Sequence, residues 1–191
     1  HTELSELLIE AEKRCEDLQT KIAARVAYTE IFKNLIITGN VLVYLPADGN
    51  LQAIKLDSYA LTRDLSGKLT ELIIIQKKAF STLSEDVKSK IKLLKDGLAP
   101  KEDDEVSIYT WICRKDKETF IVAQSVEGIL INDKQEINEN ELPWIPLRWT
   151  SCHGEHYGRG LVEDHAEDFY VIEFLSEAIA KGMALMADIK Y

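Results

Sequence analysis

The sequence is short of the features that most often announce a function. Its three cysteines, Cys15, Cys113 and Cys152, are far apart and odd in number. They therefore draw no disulfide framework, and a reducing, cytosolic place of assembly is the expectation. Basic charge is scarce: 23 Lys and Arg stand against 33 Asp and Glu, a formal net charge of -10. Holding nucleic acid by neutralising phosphates needs clustered Lys and Arg, so this balance argues against a surface that grips DNA tightly. No apolar run approaches the ~20 residues of a membrane helix. Even the C-terminal segment is interrupted by Glu173, Glu177, Lys181 and Asp188, so no transmembrane segment is expected. His1-Thr2-Glu3-Leu4-Ser5-Glu6 lacks the basic then apolar order of a secretory signal, and no export is expected either. Catalytic signatures are missing as well: neither a G-x-x-x-x-G-K-[ST] phosphate loop nor a G-x-S-x-G elbow occurs.

What is present fits a globular chain with a real core: 191 residues, 46% hydrophobic and 29% charged, enough for one domain with an appended helix. From Leu4 to Ile37 there is no Pro or Gly, and Leu4, Leu7, Leu8, Ala11, Cys15 and Leu18 recur at helical spacing. Thr20 is placed to cap a second helix carrying Ile22, Val26, Ile31, Leu35 and Ile36, ended by Gly39. Val41 to Leu45 then predicts a strand stopped by Pro46 and by the turn residues Asp48-Gly49-Asn50. Further strands are predicted at Ala53 to Leu56 and Leu69 to Gln76, with a turn at Asp64 to Gly67. Ser84 is the expected cap of a short helix from Glu85 to Leu94, and Asp96 to Glu105 reads as a loop. A hairpin pairs Val106 to Arg114 with Thr119 to Val126, followed by a short strand at Ile129 to Ile131. Pro143 to Trp149 is extended, and beyond Gly160 one long helix is expected to run to Tyr191 and onward, since no capping signal ends it.

That last helix places Leu161, His165, Phe169, Ile172, Leu175, Ile179, Met183 and Met186 on one stripe, expected to face a core. Glu163, Glu167, Glu173, Glu177 and Asp188 are read on the other side, either as a solvated back or as an acidic wall that repels DNA phosphate. In Gly154-Glu155-His156-Tyr157-Gly158-Arg159 the two glycines permit a sharp reversal, Tyr157 can pack beneath it, and Arg159 can pair with Glu163 or Asp164. This motif is read as a structural corner. Cys152, His153, His156 and His165 are soft ligands at a weak spacing, and a zinc site there, with Glu155 as base, would make the chain a metal-dependent hydrolase. The preferred reading assigns no metal, cofactor or catalytic residue. Trp111, Trp144 and Trp149 are expected in a core or a subunit contact, because no basic groove accompanies them.

The chain resembles the portal proteins, the head-to-tail connectors, of short-tailed podovirus-type bacteriophages. The resemblance runs through Arg25-Val26-Ala27, Lys33-Asn34-Leu35, Thr38 to Pro46, Ser58-Tyr59, Arg63-Asp64, Ala79-Phe80 and Tyr109-Thr110. It is most specific in Pro143, Ile145-Pro146, Arg148, Gly154 to Arg159, Glu163-Asp164, Asp168 and Leu175 to Ile179, in that order. The resemblance implies a subunit of a dodecameric ring in the virion, assembled in the host cytoplasm. It implies that double-stranded DNA passes through without sequence specificity, and that terminase, major capsid, scaffolding and tail proteins are partners. It implies no catalysis and no membrane.

The expected fold is α+β, with N-terminal helices packed on a mainly antiparallel sheet and a long C-terminal helix. Residues 1–150 are read as a wing-like domain and residues 151–191 as the corner and the helix leading toward the stem. A phage or prophage interaction domain that forms no ring is the alternative.

Overall fold

The computed structural model describes residues 2–21, 24–47, 49–94, 100–126, 128–132 and 134–187. In chain order it holds α1 (Thr2–Lys21), α2 (Ala24–Thr38), β1 (Asn40–Tyr44), β2 (Gln52–Ile54), β3 (Tyr59–Arg63), β4 (Leu69–Ala79) and α3 (Glu85–Leu94). There follow β5 (Glu105–Arg114), β6 (Thr119–Val126), β7 (Ile129–Leu130), β8 (Gln135–Asn138), β9 (Trp144–Arg148), β10 (Thr150–Ser151) and β11 (Gly158–Arg159). Two helices close the order, α4 (Leu161–Asp164) and α5 (Ala166–Ala187). This is the expected α+β architecture with a long C-terminal helix.

The first strand organises the layers. Side chains alternate across a strand, so Val41 and Val43 of β1 meet Ile31 and Leu35 of α2 on one side, while Leu42 enters a second cluster on the other. Covered on both faces, Asn40 to Val43 is buried throughout, which is why it reads as an unbroken apolar run. β1 lies between β2 and β9 in an antiparallel sheet of order β2-β1-β9. Tyr44 stacks on Trp144 across that sheet, ring centroids 5.4 Å apart. The larger sheet runs β3-β4-β5-β6-β7, with β8 also pairing with β6. Its inner face contributes Tyr59, Leu61, Leu72, Ile74, Ile112 and Phe120 to the cluster around Leu42. A third core joins Phe80, Ile91 of α3, Val106, Ile108 and Val126.

Several local expectations change. Thr20 does not cap a helix: it lies inside α1, where its hydroxyl donates to the Glu16 carbonyl at 2.9 Å, the i−4 bond by which a helical Thr satisfies itself. The strand expected at Ala53 to Leu56 is Gln52–Ile54 followed by a 3-10 turn at Leu56–Ser58. β3, β8, β10 and β11 add strands that periodicity did not separate from loops. The expected C-terminal helix is interrupted at His165, whose φ of -114° and ψ of 23° depart from helical values. Ser84 does stand before α3, its carbonyl accepting from the Lys88 N–H at 3.0 Å. Ile22, Asp48, Asp96 to Ala99, Asp188 and Tyr191 lie outside the described residues.

The largest departure concerns the terminal helices. Leu4, Leu7, Leu8 and Leu18 of α1 are exposed. The α5 stripe, expected to face a core, is exposed from Phe169 at 49% to Met186 at 76%, and α5 buries no residue. The physical reason is that the sheet faces that form cores are already filled by the partners named above, leaving nothing among the described residues to cover α5.

Candidate functional site

The corner is where α2, the small sheet, β3 and the start of α4 converge. Gly39 ends α2 at φ 71°, donating its N–H to the Leu35 carbonyl at 3.0 Å. A Cβ on Gly39 would sit 2.2 Å from the Arg159 carbonyl carbon, and one on Gly158 would sit 2.7 Å from the Thr150 carbonyl oxygen. Only glycine lets these two backbones cross so closely. The approach brings Asn40, 3% exposed, against Gly158. The Asn40 carboxamide donates to the Gly158 carbonyl at 2.7 Å and accepts from the Gly158 N–H at 2.7 Å, as a neighbouring strand would. Its second N–H goes to the Thr38 carbonyl at 2.7 Å. A buried amide with all these bonds made is a fixed joint.

The rest of the motif binds the larger sheet. Tyr157 packs against the main core, and its hydroxyl accepts from the Leu61 N–H at 3.0 Å. His156 Nδ1 accepts from the Arg63 N–H at 3.0 Å, and its carbonyl accepts from Arg63 Nε at 3.1 Å. Arg63 also donates to the carbonyls of Gly67 and Pro146, each at 3.0 Å, so one guanidinium ties β3, its turn and β9 to the corner. Burial, and then the Arg148 charge, lower the Arg63 pKa from its ordinary value. Burial first and the neighbouring Tyr157 second push the Tyr59 phenol well above its usual range. Arg159 pairs with Glu155 at 2.9 Å, in place of the expected Glu163 or Asp164. Chain direction explains the change: β11 carries Arg159 back beside the reversal that holds Glu155, while Glu163 and Asp164 continue into α4.

The acidic residues do not form one continuous row. Glu163 belongs to α4 and lines a recess of about 610 Å3 with Asn40, His156 and Arg159. Glu167, Glu173 and Glu177 are exposed on α5 beyond the break at His165. Glu173 and Glu177 stand one turn apart, and Lys181 already pairs with Glu177 at 2.6 Å. Among the described residues no three His, Cys, Asp or Glu converge to hold a metal ion. His156 spends Nδ1 on backbone, and His165 lies 3.2 Å from Asp168. Of the tryptophans, Trp144 packs against the main core, Trp111 donates to Glu71 at 2.6 Å, and Trp149 stays exposed. Sequence reading missed Asn40 and Arg63 as the joints, although Gly39-Asn40 at a helix end marks a turn and Arg63-Asp64 opens another.

At the corner, backbone groups are held by an amide, a phenol, an imidazole and a guanidinium. A family model described as bacteriophage head to tail connecting protein matches residues 1–191. The portal protein of Enterobacteria phage SP6 is 41% identical over 167 residues, 87% of this chain and 32% of that protein. The portal protein of Escherichia phage T7 is 32% identical over 164 residues, 82% of this chain and 30% of its own length. That of Pseudomonas phage phiKMV is 29% identical over 182 residues, 93% of this chain and 35% of its own length. The chain thus spans about a third of the length of the curated relatives it matches.

Proposed function

Because the chain belongs to the family of bacteriophage head to tail connecting proteins, we propose that it is the wing and the start of the stem of a portal ring subunit. In this reading residues 1–150 are the wing, and residues 151–191 are the corner and the helix that leads toward the stem. Twelve-fold assembly closes a channel through which terminase drives double-stranded DNA into the capsid and from which DNA later leaves. Major capsid, scaffolding and tail proteins are the other contacts, made during assembly in the host cytoplasm and kept in the virion. The chain contributes shape and charge to this channel, and no catalysis.

The observation that carries this reading is the bare α5. Phe169, Ile172, Leu175, Ile179, Met183 and Met186 are all at least 49% exposed on a helix that joins no core among the described residues. Burying a side chain of this size contributes roughly 1.5–3 kcal/mol, so a helix this apolar is a contact surface. A ring needs two different faces on each subunit, one for each neighbour. The exposed stripes of α1 and α5 supply two such faces.

Glu163, Glu167, Glu173 and Glu177 are the acidic surface past which DNA moves, since like charges repel over a Debye length of roughly 8–10 Å. The test is a chain extended to the length of the relatives and carrying Leu175→Asp with Ile179→Asp. Assembly is lost while the monomer keeps its urea midpoint; a variant that still assembles contradicts the reading.

A further inference from the structure

Between the turn at Asp64 to Gly67 and the segment Ser151 to Glu155 lies a recess of about 90 Å3. Arg148, His153, Ser66 and Ser151 help to line it. Two guanidiniums gather at Gly67: Arg63 Nη1 donates to its carbonyl at 3.0 Å, and Arg148 Nη2 lies 3.2 Å from where a Cβ on that residue would stand. Neither is paired with a carboxylate among the described residues. Arg63 donates to the carbonyls of His156, Gly67 and Pro146, and Arg148 to the carbonyl of Glu155 at 3.1 Å.

The two acids on the wall are engaged elsewhere. The Asp64 carboxylate accepts from the Ser66 hydroxyl at 2.7 Å and the Lys68 N–H at 2.8 Å, and Glu155 pairs with Arg159. Carbonyl dipoles orient a guanidinium without neutralising it. Two guanidiniums side by side, each held by carbonyls and neither neutralised, favour a bound anion locally. At ~30 Å3 per water the recess has room for about three waters or one phosphate-sized ion.

We propose that this recess binds one tetrahedral oxyanion of the phosphate class, with the Arg148 guanidinium as principal donor and Ser151 and His153 as further donors. Its rim favours a free ion over a strand of nucleic acid. Leu65, 81% exposed, stands at the turn, and a recess of about 90 Å3 holds a single ion and no length of strand.

The experiment is a titration with inorganic phosphate at constant ionic strength against chloride, followed through the backbone amide shifts of Ser66, Gly67 and Gly154. Saturating shifts confined to these two segments are the expected result, with affinity about tenfold or more weaker in Arg148→Gln. Arg148 also holds the Glu155 carbonyl, so Ser151→Asp provides an independent variant. It sets a carboxylate at the mouth from an exposed residue and is expected to abolish the response without altering the remaining spectrum.

Shifts that chloride reproduces, or that survive unchanged in both variants, overturn the proposal. Saturation by acetate with no response to phosphate also overturns it, in favour of a carboxylate from a protein partner. Competition by a short DNA duplex would assign the oxyanion to a nucleic-acid backbone; its failure would assign it to free phosphate.

Discussion

The carboxamide of Asn40 holds both backbone groups of Gly158, donating to its carbonyl and accepting from its N–H at 2.7 Å each, across 118 residues of sequence. One buried side chain thereby does the work of a paired strand. It fixes the start of β1 to the strand that launches the C-terminal helices.

Replacing Asn40 with Ala leaves those two Gly158 groups without a partner in a buried site. Unsatisfied buried groups cost about 1–3 kcal/mol each, so a loss of about 2–6 kcal/mol is expected in urea unfolding.

Gly39→Ala adds a methyl group 2.2 Å from the Arg159 carbonyl carbon at a residue whose φ is 71°. The left-handed conformation costs roughly 1–2 kcal/mol and the overlap a similar amount or more. A drop of about 3 kcal/mol is expected, read from the same unfolding curves.

Tyr157→Phe and Arg159→Gln separate the buried from the exposed half of the motif. The first strands the Leu61 N–H and is expected to cost about 1–2 kcal/mol. The second removes only an exposed ion pair and is expected to leave the unfolding midpoint unchanged.

Alkaline pH gives a further check. Burial raises the Tyr59 pKa above its unfolded value, so the folded state holds that proton more tightly. The associated stability is complete below about pH 10, the ordinary phenol value, and falls as pH rises beyond it. In chemical unfolding at about pH 9 and about pH 11, the fall in stability is expected to be smaller for Tyr59→Phe than for the parent.

Converting Glu163, Glu167, Glu173 and Glu177 together to Gln is expected to leave folding nearly intact, because all four are exposed. In an assembled particle the same change is expected to slow DNA passage. Unchanged passage would remove the acidic surface from the account.

The pattern of what the sequence disclosed follows from the range of each interaction. Val41-Leu42-Val43 was readable as an unbroken apolar run and the β5–β6 hairpin from its alternation, whereas of the α2 stripe Ile31 and Leu35 are buried and Val26 and Ile36 are exposed. β3 was not readable, because Tyr59 to Arg63 becomes a strand through its register with Leu69 to Ile74, which composition does not encode. At the corner, Gly154 to Arg159 could be recognised as a reversal from its glycines and tyrosine. The partner of Arg159 could not, since Glu155, Glu163 and Asp164 are all within reach in sequence and only the backbone path selects one. Asn40 carried no periodic signal at all, and its role depends on a residue 118 positions away. The exposure of α5 was hidden for a different reason: its stripe has the pattern of a helix with a partner, and sequence does not say whether the partner belongs to the same chain.

The solution mass of this chain and of a version extended to the length of its relatives, measured by light scattering over a range of salt concentrations, separates a ring subunit from a lone domain. A closed ring of about a dozen subunits from the extended chain is the predicted result. A strict monomer from the extended chain at every salt concentration would contradict the portal reading and leave a domain that binds its partners singly.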